Sequence, residues 1–209
     1  MNYSALILAV GKDASKGKSY EKALAQFDKH TSVLEKTVSR FLEDGRCKQI
    51  VIVTNSTDMR RVVEQHDTGK ILHVKGGSTR IESVLNGLTA VLEDVVLIHD
   101  GVRPWIRQEV VDRILDKMET EDACVAATEV RSPIITVNDG YMESSVKTKG
   151  YYSAQTPQAF KTSLAIKCYA LAQQQGLKDK DDAAIISKLS DTRIAVVKGD
   201  ARNVRFMPR

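Results

Sequence analysis

Six apolar runs, at residues 5–10, 49–54, 70–74, 95–99, 123–129 and 193–197, set the rhythm of this 209-residue chain. Several are continuous rather than alternating, which is the mark of strands covered on both faces. Helical patterns fall between them, at 32–42, 58–66, 81–92, 108–119, 163–175 and 181–189. Strands and helices alternating in this way call for right-handed crossovers. The reading is one α/β domain over residues 1–209, doubly wound and Rossmann-like, with a mostly parallel sheet and its working loops at the carboxyl ends of the strands.

Residues 132–152 break that rhythm. Ile134-Ile135-Thr136-Val137 and Met142-Glu143-Ser144-Ser145-Val146-Lys147 flank Asn138-Asp139-Gly140, a strong hairpin-turn signal. This stretch is read as a β-arm projecting from the domain. A two-stranded ribbon is marginal alone in water, so either a second subunit covers it, giving a homodimer, or the hairpin folds back on its own domain.

Composition narrows the function classes. A formal net charge of +4 and 5% aromatic residues provide neither a basic stripe nor a stacking platform, which argues against a nucleic-acid partner, while an anionic small substrate suits the charge. Cys47, Cys124 and Cys168 are widely spaced without CxxC pairing, so neither a disulfide framework nor a zinc site is indicated. The first apolar run is too short for a membrane span and has no basic segment before it. A cytoplasmic protein with no membrane association is expected.

Four short motifs sit where a parallel sheet exposes its strand ends. Gly76-Gly77-Ser78-Thr79-Arg80 follows the run at 70–74, and Ser78 or Thr79 is placed to cap a helix whose free N–H groups attract an anion or a carbonyl-rich base. Arg80 and Ser83 then face the ligand; the alternative is a plain helix cap with a solvated arginine. His99-Asp100 closes the run at 95–99, and Asp100 suits Mg²⁺, which takes few carboxylates plus phosphate oxygens. Arg103, before Pro104, can hold a phosphate in bidentate fashion, or it can simply pair with Asp100. Gln155-Thr156-Pro157-Gln158 reads as a turn whose amides and Thr156 hydroxyl are free for a phosphate or sugar. Gly199-Asp200-Ala201-Arg202-Asn203 ends the last strand, with Arg205 adding positive charge to the same rim.

In this order, the motifs resemble the 2-C-methyl-D-erythritol 4-phosphate cytidylyltransferase family of isoprenoid biosynthesis, including the related D-ribitol-5-phosphate cytidylyltransferases. The similarity runs from Ala5 to Arg205. It implies transfer of CMP from CTP to a sugar-alcohol phosphate, 2-C-methyl-D-erythritol 4-phosphate being favoured, with Mg²⁺ or another divalent cation and a homodimer joined through the β-arm. It also implies that Ala9, Val10 and Gly11, the run at 76–88 with Gly76, Gly77, Arg80 and Ser83, and Asp100 serve the nucleotide, with Asp100 beside the metal, and that Thr156 and Arg103 serve the acceptor. Lys22, eleven positions after Gly11 as the family requires, inherits the lysine that steadies the α-phosphate. The first loop departs from the family: Asp13 replaces a glycine and Ser15 an arginine, so either Lys12, Lys16 or Lys18 supplies the charge, with Lys16 taken as the catalytic candidate, or the chain is a nucleotide-binding relative that no longer catalyses. Thr148 falls where a partner's arginine binds the acceptor phosphate, and Lys147 and Lys149 flank it. Arg205 stands for the lysine of the final motif and is the third catalytic candidate.

Overall fold

The computed structural model of the chain describes residues 1–10, 21–64, 68–179 and 181–207. In chain order the elements are β1 (Tyr3–Leu8), α1 (Glu21–Leu24), α2 (Val33–Glu43), β2 (Cys47–Val53), α3 (Thr57–Glu64), β3 (Ile71–Val74), α4 (Arg80–Leu88), β4 (Val95–Asp100), α5 (Gln108–Met118) and β5 (Ala123–Glu129). They continue with β6 (Ile134–Asn138), β7 (Tyr141–Val146), β8 (Tyr152–Lys161), α6 (Thr162–Gln174), α7 (Asp182–Leu189) and β9 (Ala195–Lys198). Seven strands form one sheet in the order β3-β2-β1-β4-β8-β5-β9, and β6 and β7 form a separate ribbon. Every pairing in the large sheet is parallel except those of β8, which runs antiparallel to both β4 and β5.

The continuous apolar runs are explained by the two covered faces. Successive side chains of a strand point to opposite sides. Thus Ala5 and Ile7 of β1, Ile50 and Ile52 of β2 and Leu97 of β4 join one apolar layer with Leu34 and Phe41 of α2 and Val110 and Ile114 of α5. Leu6, Leu8, Val51, Val53 and Ile98 join the other, with Val84 and Leu88 of α4, Tyr169 of α6 and Ile185 of α7. Local signals set the helix starts: Ser32 and Glu35 form a reciprocal capping box on α2, and Thr79 rather than Ser78 caps α4.

One expectation is overturned. Gln155-Thr156-Pro157-Gln158 is not a surface turn but the buried middle of β8, between β4 and β5. Proline is tolerated there because the ladder slips: Val125 pairs with Gln158 while Ala127 pairs with Ala154, so the missing N–H falls in an interruption of the bonding. The slip depends on a partner strand remote in sequence, and local reading has no access to it.

The arm is a hairpin, as its turn residues require. Asp139 (φ 49°) and Gly140 (φ 83°) both take the left-handed conformation that two-residue hairpin loops need. Both strands stand almost wholly in solvent, with Val137 57% and Tyr141 80% exposed.

Gly87 lets α4 approach the sheet closely. A Cβ there would lie 2.4 Å from Leu6 Cδ1 and 2.7 Å from Val53 Cγ2, both on fully buried side chains. Alanine favours a helix over glycine by about 1 kcal/mol, whereas overpacking costs about 1–3 kcal/mol. The clash prevails because Val53 is stiff at Cβ. Gly87→Ala is therefore expected to lower stability by about 1 kcal/mol net, read as a reduced urea midpoint at unchanged m-value.

Candidate active site

The carboxyl rim of the sheet is organised around Asp100, the last residue of β4. Its Oδ2 accepts from Arg103 Nε at 3.0 Å and from Arg205 Nε at 3.1 Å, Arg205 Nη2 lies 3.0 Å from the same oxygen, and Arg80 Nη1 lies 3.7 Å from Oδ1. Three guanidiniums from three motifs thus meet one buried carboxylate. Burial alone would push this carboxyl up, but Arg80, Arg205 and Arg103 outweigh it and bring its pKa down to about 2.

Arg80 is pinned from behind. Its Nη2 donates to both oxygens of Asp182, at 3.1 and 2.9 Å, and the Tyr169 hydroxyl donates to Asp182 Oδ1. Burial works against the Arg80 charge, and Asp182 and Asp100 more than offset it, so the guanidinium stays protonated. Burial drives the Asp182 carboxyl above its ordinary value, with Arg80 opposing. Asp182 opens α7, and Gln158 fastens that helix start to β8: its Nε2 donates to Asp181 Oδ2 at 2.8 Å and its Oε1 accepts from Ala183 N.

Behind Asp100 the hydrogen bonds define a single proton arrangement. His99 Nε2 lies 3.2 Å from the Arg103 carbonyl, which can only accept, so Nε2 carries the proton. Burial lowers the His99 pKa to about 4, and the ring is neutral. Nδ1 is then an acceptor, and the Thr156 hydroxyl 3.0 Å away must donate to it while accepting from the Asp100 N–H at 3.1 Å. The expected free hydroxyl of Thr156 is thus committed inside the protein, because β8 carries it into the sheet. Asn203 closes the set, its Nδ2 donating to the Thr156 carbonyl and its own carbonyl accepting from Arg103 Nη1, each at 2.7 Å.

Beside this cluster opens a cleft of about 330 Å³. Leu8 and Val10 form its apolar wall, Gly77, Thr79 and Ser83 line its polar side, and Arg80 and Arg205 supply the charge. Gly76 is required by packing, since a Cβ would come within 2.5 Å of Val10 Cγ1. Ser83 lines the cleft, but its Oγ accepts from Gly77 N and donates to the Thr79 carbonyl, which shapes the loop.

The structure therefore brings together Val10, Gly77, Arg80, Ser83, Asp100, Arg103, Thr156 and Arg205, with Ala9 buried next to Val10. Lys22 on α1 donates to Met207 Sδ at 3.7 Å, which places it next to the segment bearing Arg205. Gly11 and Lys16, like Lys12, Asp13, Ser15 and Lys18, lie outside the described residues. Lys147 and Lys149 are exposed at the return end of the arm and do not line the cleft of their own chain. Asp182, Tyr169 and His99 were not singled out from the sequence. An Asp pair opening a helix reads as ordinary N-terminal acid, and only the packing shows that the second of them is buried. Among the described residues no three His, Cys, Asp or Glu side chains cluster to hold a metal, and no helix is long and apolar enough to cross a membrane.

A doubly wound sheet with a cation-lined cleft at its carboxyl rim defines a nucleotide-handling enzyme of the nucleotidyltransferase class. Residues 3–207 match the family model for 2-C-methyl-D-erythritol 4-phosphate cytidylyltransferase. The chain belongs to that family. It is 30% identical to the enzyme of that name from Shouchella clausii over 99% of this chain and 91% of that one, and 30% identical to the Geobacillus kaustophilus enzyme over 99% and 92%. The Thermus thermophilus crystal structure superposes with a TM-score of 0.83 at 26% identity, covering 100% of this chain and 94% of that one. The Anaerococcus prevotii 4-diphosphocytidyl-2C-methyl-D-erythritol synthase also gives 0.83 at 26%, covering 98% and 90%.

Thr156→Val removes the hydroxyl and strands the Asp100 N–H and His99 Nδ1 in the interior. Each unpaired group costs about 1–3 kcal/mol. A loss of roughly 2–4 kcal/mol in urea unfolding is expected, with Thr156→Ser recovering most of it.

Proposed function

We propose that this chain transfers CMP from CTP to the phosphate of 2-C-methyl-D-erythritol 4-phosphate. An acceptor phosphate oxygen forms the new bond to the α-phosphorus of CTP, the bond to the bridging oxygen breaks, and pyrophosphate leaves with that electron pair. The nucleophile is already ionised, so no strong general base is needed; alignment and neutralisation of charge on the five-coordinate phosphorus carry the rate. The convergence of Arg80, Arg103 and Arg205 on Asp100 beside the cleft is the observation that carries this reading.

The apolar wall of Leu8 and Val10 suits one face of the cytosine ring, with Gly76, Gly77, Arg80 and Ser83 framing its polar edge. Ala9 and Gly11 are assigned to the nucleotide. Arg205, its side chain 60% exposed, is the cation best able to exchange Asp100 for a phosphate, and Lys22 and Lys16 are assigned to the same group. Arg103 faces the acceptor phosphate, and Thr156 contributes there by fixing the backbone of Asp100.

A divalent cation fits this donor set. Asp100 is ionised, and among the described residues its Oδ1 has only the 3.7 Å approach of Arg80, so a cation held chiefly by phosphate oxygens can add this one carboxylate. When bound it supplies further neutralisation of the triphosphate, and Mg²⁺ is the natural choice. Three buried free thiols, Cys47, Cys124 and Cys168, suit the reducing cytoplasm.

The arm points to a homodimer. Ile135, Val137, Tyr141 and Met142 are exposed on a ribbon too small to be stable alone, and a second copy is the partner that would cover them. Lys147 and Lys149 would then reach the acceptor phosphate in the partner's site.

Activity and assembly measurements check this. Incubation with CTP, Mg²⁺ and 2-C-methyl-D-erythritol 4-phosphate is expected to release pyrophosphate; release with D-ribitol 5-phosphate instead would reassign the acceptor, and release with neither would remove the reading. Arg205→Met is expected to lose about 10²-fold in kcat, and so is the double variant Lys147→Ala, Lys149→Ala. Mixing the two inactive variants should restore activity through hybrid dimers that hold one intact site. Failure to complement, or a monomer in light scattering at micromolar concentration, would exclude the shared site.

A further inference from the structure

We propose that Trp105 is a positioning residue that holds Arg205 and Lys22 at the phosphate end of the cleft, an inference that rests on the function proposed above. Arg205 lies in residues 203–207, a segment without helix or strand. A cation on such a segment is aimed only if the chain is tied down on both sides of it. On one side is Asn203, bonded to Thr156 and Arg103. On the other is Phe206, whose N–H donates to the Val102 carbonyl at 2.7 Å and whose ring stacks on Trp105 with centroids 6.0 Å apart and planes 29° apart.

The same indole reaches the Lys22 side. Phe27, in the connection after α1, meets Trp105 at 5.7 Å with the rings tilted by 58°. Lys22 lies on α1 itself and touches Met207, the residue after Phe206. One aromatic side chain thus joins the two segments that carry the cations assigned to the triphosphate. Core packing does not account for it: Trp105 is 37% exposed, whereas the next residue, Ile106, is 2% exposed and fills the core beneath. Trp105 is not among the described residues that line the cleft, so its effect on turnover passes through the groups it holds.

The test is a double-mutant cycle. Trp105→Ala is expected to lower kcat/KM for CTP by about tenfold, the size that losing aromatic pairing allows, with Trp105→Phe restoring it to within about threefold. In the Arg205→Met background the same change should cost only about threefold, because one of the two groups it acts through is gone and Lys22 alone remains to be displaced. A merely structural role predicts the same loss in both backgrounds, and that result, or no loss in either, overturns the inference. Phe206→Ala breaks the contact from the other side and should reproduce the pattern, so the outcome does not hinge on one variant folding. Calorimetry with CTP separates the two levels of argument. A wild-type protein that neither binds CTP nor turns over would remove the proposed function and this inference with it, whereas an active wild type indifferent to Trp105→Ala would remove this inference alone.

Discussion

The Asp100 carboxylate is the interaction on which the rest of the site depends. Guanidiniums repel one another, and three of them gather at one rim only because an anion sits among them. Burying that anion is unfavourable unless its partners are well placed, and here the arginines outweigh the desolvation. Asp182 adds a second buried carboxylate behind Arg80. Asp181 acts on Asp182 from the same helix start, so the guanidiniums become available to a triphosphate by exchanging a carboxylate for it. The most exposed cation, Arg205, is the one free to move towards it.

That arrangement needs a strand running the wrong way. In a wholly parallel sheet, the neighbour of β4 would end level with Asp100 and present a loop. The antiparallel β8 instead passes its midpoint there and delivers Thr156 to the Asp100 N–H and Gln158 to the start of α7. His99, Thr156, Arg103 and Asn203 are then bonded in one closed set, in which each donor has its acceptor. Each bond completed in a buried polar network adds rigidity, although the Asn203 Oδ1 is left without a partner among the described residues. Rigidity behind Asp100 matters because catalysis by charge neutralisation is sensitive to small displacements.

The elements farthest from the sheet are handled differently. The C-terminal segment is fastened by the bonds of Asn203 to Thr156 and Arg103, by the Phe206 N–H to the Val102 carbonyl and by the stack on Trp105, and the arm leaves its apolar residues to solvent within a single chain. The sheet thus carries the rigid part of the site, while Arg205, Lys147 and Lys149, assigned to the phosphates, sit on appendages.

Much of this was legible before folding. The strand and helix pattern outside β8 and the hairpin at Asn138-Asp139-Gly140 are local: apolar periodicity and turn chemistry act over a few residues, and the structure follows them. The glycine and arginine motifs likewise marked the rim that forms the cleft. Tertiary structure decided the rest. Pro157 reads as a turn until a slipped pairing with β5 admits it to a strand, and Asp182 reads as a helix-capping acid until α6 and α4 bury it against Tyr169 and Arg80. Local order was set by the sequence alone because its energetics are short-ranged; the charge cluster was not, because residues as far apart as Arg80, Asp100, Thr156, Asp182 and Arg205 acquire their partners only once the sheet has closed.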